Sequence, residues 1–137
     1  MSTRVVHVPG WPAPRGYVNG RIGDGATLHV AGQIGWDATG TIVSDELVPQ
    51  FAQALDNVLA VVAAAGGGPT DIATMTVFVT DLDAYRAGRR ALGGIWRERL
   101  GDHFPAMALV GVAGLVEPRA KVEIQVVAHV AHAEEAP

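Results

Sequence analysis

At 137 residues the chain is long enough for one domain with a real core. It has no cysteine, which excludes disulfides, thiolate catalysis and cysteine-bound metals. The net charge of −4 and the single lysine argue against a nucleic-acid surface, which normally carries a basic stripe.

No apolar run is expected to reach the ~18–20 residues that span a bilayer. The start, MSTRVVHVPG, lacks the apolar centre of a signal peptide. The expectation is therefore a cytoplasmic protein with no membrane partner. A hydrophobic fraction of 49% is high for so short a chain and points to apolar surface buried against further copies.

VVHV (5–8) reads as a first strand, stopped by Pro9-Gly10. After a loop over 10–16, YVNGRI (17–22) and ATLHVAGQIG (26–35) read as a hairpin through Gly23-Asp24-Gly25. A second turn is expected around Thr39-Gly40. A helix follows, with Leu47, Phe51, Leu55, Val58, Leu59 and Val62 forming one stripe. Ser44 is its candidate N-cap, Pro49 fits only its first turn, and AGGGP (65–69) ends it.

IATMTVFVT (72–80) alternates cleanly, with Met75, Val77 and Val79 on one face and Thr74, Thr76, Phe78 and Thr80 on the other. Residues 81–101 read as one helix with an Asp81 cap. Gly93-Gly94 inside it costs roughly 1 kcal/mol per glycine against alanine, so close packing is the expected reason for the pair. AMALVGV (106–112) and AKVEIQVVAHV (120–130) are the last strands, and 131–137 is expected to be a frayed tail.

This order fits one α+β domain over 1–137: a mixed six-stranded sheet with two helices on one face. In the last strand Val122, Ile124, Val126, Ala128 and Val130 point to the helices. Glu123, Gln125, Val127 and His129 point away, on a face expected to hold Phe78 and Leu109 as well. That face is too apolar for water alone, which implies association through the sheet.

Glu123 is the leading candidate for chemistry. A carboxylate held mid-strand between Val122 and Ile124 is half-desolvated, which suits general acid–base work; a plain solvated carboxylate is the alternative. Tyr17 could orient a ligand or cap a sheet edge. In VAGQIG (30–35), two glycines bracket Gln33 and allow close approach of a ligand. Of the nine arginines, five lie in 81–101. Arg86, Arg90 and Arg97 share a solvated stripe, and Arg89 borders the apolar one. The histidines, His129 and His132 included, form no metal-ligand pattern, so no metal is expected. No GxSxG elbow is present.

These segments, GYVNG (16–20), VAGQIGWDATGTIV (30–43), QALDNVLAVVAAAGG (53–67), TVFVTDLDAY (76–85), FPAM (104–107) and VEIQVVA (122–128), resemble the RidA (YjgF/YER057c/UK114) family over nearly the whole chain. The resemblance implies a chorismate-mutase-like subunit and a homotrimer whose sheets form a central barrel, with ligand clefts between subunits. It implies hydrolysis of reactive enamines or imines without a cofactor. Tyr17 and Gly32 match the family's pocket tyrosine and turn glycine, and Glu123 matches the glutamate that handles water or protons.

Three positions depart from the pattern. Ala31 replaces a serine, Arg89 stands where deaminases often carry asparagine, and Met107 replaces the arginine that grips the substrate carboxylate. A thioether cannot form the two parallel hydrogen bonds of a guanidinium. The expected function is a hydrolase of enamines or imines with altered specificity, acting on a ligand that is larger or uncharged at that end. The alternative is a non-catalytic trimer binding a metabolite or a protein, and an RNA-cleaving role is weaker. Arg89, or failing that Arg119, could replace the lost cation.

Overall fold

Strand parity and register fix which side chains meet the helices. The computed structural model describes residues 2–131. Its main sheet holds β3 (Ala26–Gln33), β4 (Ile72–Val79), β5 (Ala106–Gly111) and β6 (Val122–Val130), in the spatial order β3-β6-β4-β5. β6 runs antiparallel to both neighbours, while β4 and β5 are parallel, so the sheet is mixed. The parallel pair is joined by a helical crossover, as such pairs must be.

Two further strands, β1 (Thr3–Val6) and β2 (Gly20–Gly23), form a separate antiparallel ribbon. The six strands are therefore split four and two, and the expected hairpin between 17–22 and 26–35 does not form. Ile22 offers β2 little to bury and stays half exposed, whereas β3 gains the nine-residue β6 as partner. Gly25 makes the turn possible, at φ +93°, with its backbone against the carbonyl of Val130, where a Cβ would lie 2.2 Å from the oxygen. The ribbon is moored beside β5: the Val18 amide donates to the Pro105 carbonyl (3.1 Å) and the Arg21 Nε to the Phe104 carbonyl (3.0 Å).

The helices cover one face. α1 (Leu47–Ala64) lays Leu47, Phe51, Leu55, Val58 and Val62 on the sheet, following the predicted stripe. Its cap is Glu46 rather than Ser44, whose Oγ accepts from the Glu46 amide (3.1 Å). With 18 residues α1 does meet the length and composition of a membrane span, contrary to the sequence expectation; its buried stripe makes it a core helix.

The expected second helix is two, α2 (Leu82–Ala87) and α3 (Arg89–Leu100), broken at Gly88. The break lies where the chain passes α1, with a Cβ on Gly88 only 3.1 Å from Val48. Asp81 caps α2 as expected, accepting from the Ala84 amide (3.0 Å).

Met75 pairs with Met107 and Val77 with Leu109, so Met107 and Leu109 face the helices. Leu109 was expected on the open face; Val110, opposite Phe78 and 42% exposed, stands there instead. Glu123 pairs with Phe78 and shares that open face. The last six residues of the expected tail, His132 among them, lie outside the described residues.

Candidate functional site

The sheet separates two clefts. The first lies on the helix side, between α3 and the edge strand β5, with a volume of about 220 Å³. The second lies on the open face, where β3 meets β6, with a volume of about 240 Å³.

The open-face cleft is built by a glycine. The β3–β6 pairing shifts register between Val30 and Gln33, which places Gly32 against the side chain of Glu123. A Cβ on Gly32 would lie 2.7 Å from Glu123 Cδ, closer than real contacts allow. Glu123 is half-buried there, beside Trp36 and a second carboxylate, Glu117. Ala31 is exposed next to Gly32, and its carbonyl accepts from Gln33 Nε2 (3.1 Å). Among the described residues, no cluster of three or more histidine or carboxylate side chains is poised to hold a metal.

The helix-side cleft brings together Arg89 and Met107, two of the residues singled out from the sequence. It adds three that were not: Trp96, Phe104 and Arg97. Trp96 and Phe104 stack with centroids 5.9 Å apart and nearly parallel rings. The stack is pinned from behind: Trp96 Nε1 donates to the His103 carbonyl (3.2 Å), and the His103 ring Nε2–H donates to the Ile72 carbonyl (2.8 Å). Burial holds the His103 imidazole below its ordinary pKa, with Arg21 adding to that and the Ile72 bond opposing it.

Arg97 is exposed, in keeping with the solvated stripe, and it also lines the cleft, with its guanidinium folded back along the helix. Nη1 comes to 4.0 Å from where a Cβ on Gly93 would be. Helical side chains lean toward the N-terminus, so the readable signal was a glycine four residues before an arginine. The close packing expected of Gly93-Gly94 is absent. A Cβ on Gly94 would meet nothing within 4 Å, and one on Gly93 would meet only the Arg97 tip. The missing side chain at 93 keeps the cleft open; nothing in the structure explains Gly94.

Among the described residues, Arg86, Arg99 and Arg119 hold carboxylates, of Asp83, Asp56 and Asp45 respectively, while Arg89 and Arg97 hold none. Arg119 is thus tied to Asp45 (2.8 Å) before α1 and lines neither cleft. Tyr17 is 41% exposed and also lies outside both, although its neighbour Gly16 lines the first. The six candidates therefore do not converge within one copy. Arg89 and Met107 sit on one face of the sheet, Gly32 and Glu123 on the other.

The sequence model of one family, Endoribonuclease L-PSP, matches residues 11–130. A 2-iminobutanoate/2-iminopropanoate deaminase of Dermatophagoides farinae is 30% identical over 123 residues, 89% of this chain and 92% of that protein. A Rid-family protein of unknown function from Yersinia pestis, YyfB, superposes with a TM-score of 0.84 at 29% identity, covering 95% of this chain and all of its own. Escherichia coli TdcF, solved with bound serine, superposes at 0.68 with 31% identity, covering 93% of this chain and 99% of its own.

Proposed function

This chain belongs to the Endoribonuclease L-PSP family, the RidA (YjgF/UK114) family, and from that premise we propose that it is a cofactor-independent hydrolase of enamines or imines with shifted specificity. Deaminases of 2-iminobutanoate and 2-iminopropanoate among its relatives support the reaction class. The single observation that carries the reading is the Gly32 notch, which leaves Glu123 half-buried at an open cleft where a ligand can reach it.

The reaction needs one group that moves protons. Glu123 takes a proton from water as the oxygen adds to the imine carbon. It passes that proton to nitrogen to give the carbinolamine, then takes the hydroxyl proton and delivers it to nitrogen as the C–N bond breaks, so that imine and water become ketone and ammonia. The backbone at Ala31 and Gly32 and the Tyr17 hydroxyl bind the substrate on this reading. Met107 withholds the guanidinium clamp, which disfavours the smallest imino acids.

One copy cannot join Glu123 to Arg89 and Met107, because the sheet stands between them. We therefore include a homotrimer in the proposal. The open face, with Phe78, Val110 and Val127 beside Glu123 and Gln125, would pack into a central barrel, and each cleft would be completed across a subunit boundary. The absent arginine also favours a second reading, a trimer that binds a metabolite without turning it over.

Ammonia release from imines generated in situ tests the first reading. Glu123→Gln should slow it ~10²–10⁴-fold. An unchanged rate removes Glu123 from the mechanism. Light scattering should give about three times 14.3 kDa, and a clean monomer at micromolar concentration defeats the shared cleft.

A further inference from the structure

We infer that the helix-side cleft selects imino acids carrying a large apolar side chain, an aromatic ring above all, and that Arg97 grips their carboxylate in place of residue 107; this rests on the deaminase reading and narrows its substrate. Three independent observations lead there. The first is charge. Arg97 and Arg89 are the arginines that line the cleft, and like Arg4, Arg15, Arg21 and Arg90 they have no carboxylate partner among the described residues. An unpaired guanidinium over an apolar wall is a ready two-point partner for a carboxylate.

The second is Gly93. It weakens a helix interior, yet no neighbour forces it; only the Arg97 tip lies within reach of a Cβ there. Gly93 itself lines the cleft, so the missing side chain keeps the cleft open beside the exposed Arg97 guanidinium.

The third is size and lining. Beyond the two cations, the walls are Phe51, Leu92, the Trp96–Phe104 stack, Met107 and Leu109. An apolar cavity of ~150 Å³ takes a benzene ring. The cleft holds about 220 Å³, which accommodates an aryl group and its connecting carbons and leaves a methyl group mostly surrounded by space. Met107, unbranched and polarisable, suits a ring edge where an arginine would suit a second carboxylate contact.

Calorimetry on the full chain, with the keto-acid products as probes, tests both halves. 3-Phenylpyruvate should bind about tenfold or more tighter than pyruvate, from the extra apolar area removed from water. Arg97→Gln should weaken 3-phenylpyruvate about ten- to hundredfold, the loss of a charge-assisted pair, and leave uncharged phenylacetone unchanged. An unaltered assembly mass guards against misfolding. Equal affinity for the two keto acids overturns the size selection. An Arg97→Gln protein that binds 3-phenylpyruvate like wild type overturns the clamp, as does complete loss on Arg89→Gln alone. Imines made in situ from phenylalanine and alanine separate this from the deaminase reading. Selective, Arg97-dependent binding without turnover of either imine sustains the cleft assignment and removes the hydrolase. Turnover of the alanine imine without 3-phenylpyruvate binding does the reverse.

Discussion

Gln50 is fully buried in the first turn of α1 and makes three hydrogen bonds to backbone. Its Nε2 donates to the carbonyls of Ser44 (2.7 Å) and Arg119 (2.9 Å), and its Oε1 accepts from the Lys121 amide (2.7 Å). One side chain thus fastens the start of α1 to the strand that carries Glu123, two residues further on. Gln50→Leu conserves volume but strands one amide and two carbonyls. A buried polar group left unpaired costs about 1–3 kcal/mol. Three such groups give about 3–9 kcal/mol, and since Ser44, Arg119 and Lys121 are none of them buried residues the low end, about 3–5 kcal/mol, applies. That is a large part of the ~5–15 kcal/mol that holds a typical domain together. Urea unfolding at fixed protein concentration reads it as a lower midpoint at unchanged slope. A loss under about 1 kcal/mol would refute the reasoning, since it would mean the three groups find other partners.

Three further outcomes follow from single contacts. Gly32→Ala puts a Cβ 2.7 Å from Glu123 Cδ, so activity should fall toward the level of Glu123→Gln while the fold survives; wild-type kinetics in that variant would contradict the notch. His103 has its pKa lowered by burial, so the unfolded chain takes up a proton that the folded chain refuses. Its stability contribution is complete above the unfolded value of about 6.5 and declines as pH falls below it, levelling off beneath the folded pKa. Thermal melts from pH 7.5 to 5 should show this slope, and His103→Gln should flatten it; a slope that persists in the variant assigns the effect elsewhere. Met107→Arg adds a clamp for small acids and should raise kcat/KM on 2-iminopropanoate about tenfold or more, at roughly 1.5–3 kcal/mol for a charge-assisted bond. No gain would show that residue 107 does not set specificity.

What the sequence made legible was whatever a short window encodes. β6 alternates over nine residues, so its buried and open faces could be read directly, and with them the half-buried setting of Glu123. The α1 stripe could be read the same way. The errors share a cause: each was decided by a partner distant in sequence. Gly23-Asp24-Gly25 looks like a hairpin turn locally, but β3 pairs with β6, a hundred residues away in the chain. A helix tolerates a glycine, so Gly88 did not announce a break; the break falls where Val48 of α1 packs closely, 3.1 Å from the Cβ position of Gly88. Arg97 stays exposed on the solvent stripe, as its angle implied, and what the angle could not show is that it also borders a cleft walled by Met107 and Leu109 of β5.

Residue 107 is likewise placed by a partner distant in sequence. Its identity was conspicuous in the sequence, yet its face is set by register with β4, where Met75 is its partner. That pairing puts Met107 among the helices, while Phe78, three residues on from Met75 and of opposite parity to it, shares the open side with its partner Glu123. A methionine on the helix face and a glutamate on the open face cannot act on one ligand within one sheet. Chemistry that uses both therefore requires that a second copy present its open face to the β5 edge of the first. If a monomeric variant, made by placing aspartate at Phe78 on the open face, were as active as wild type, Met107 and Glu123 would belong to separate sites.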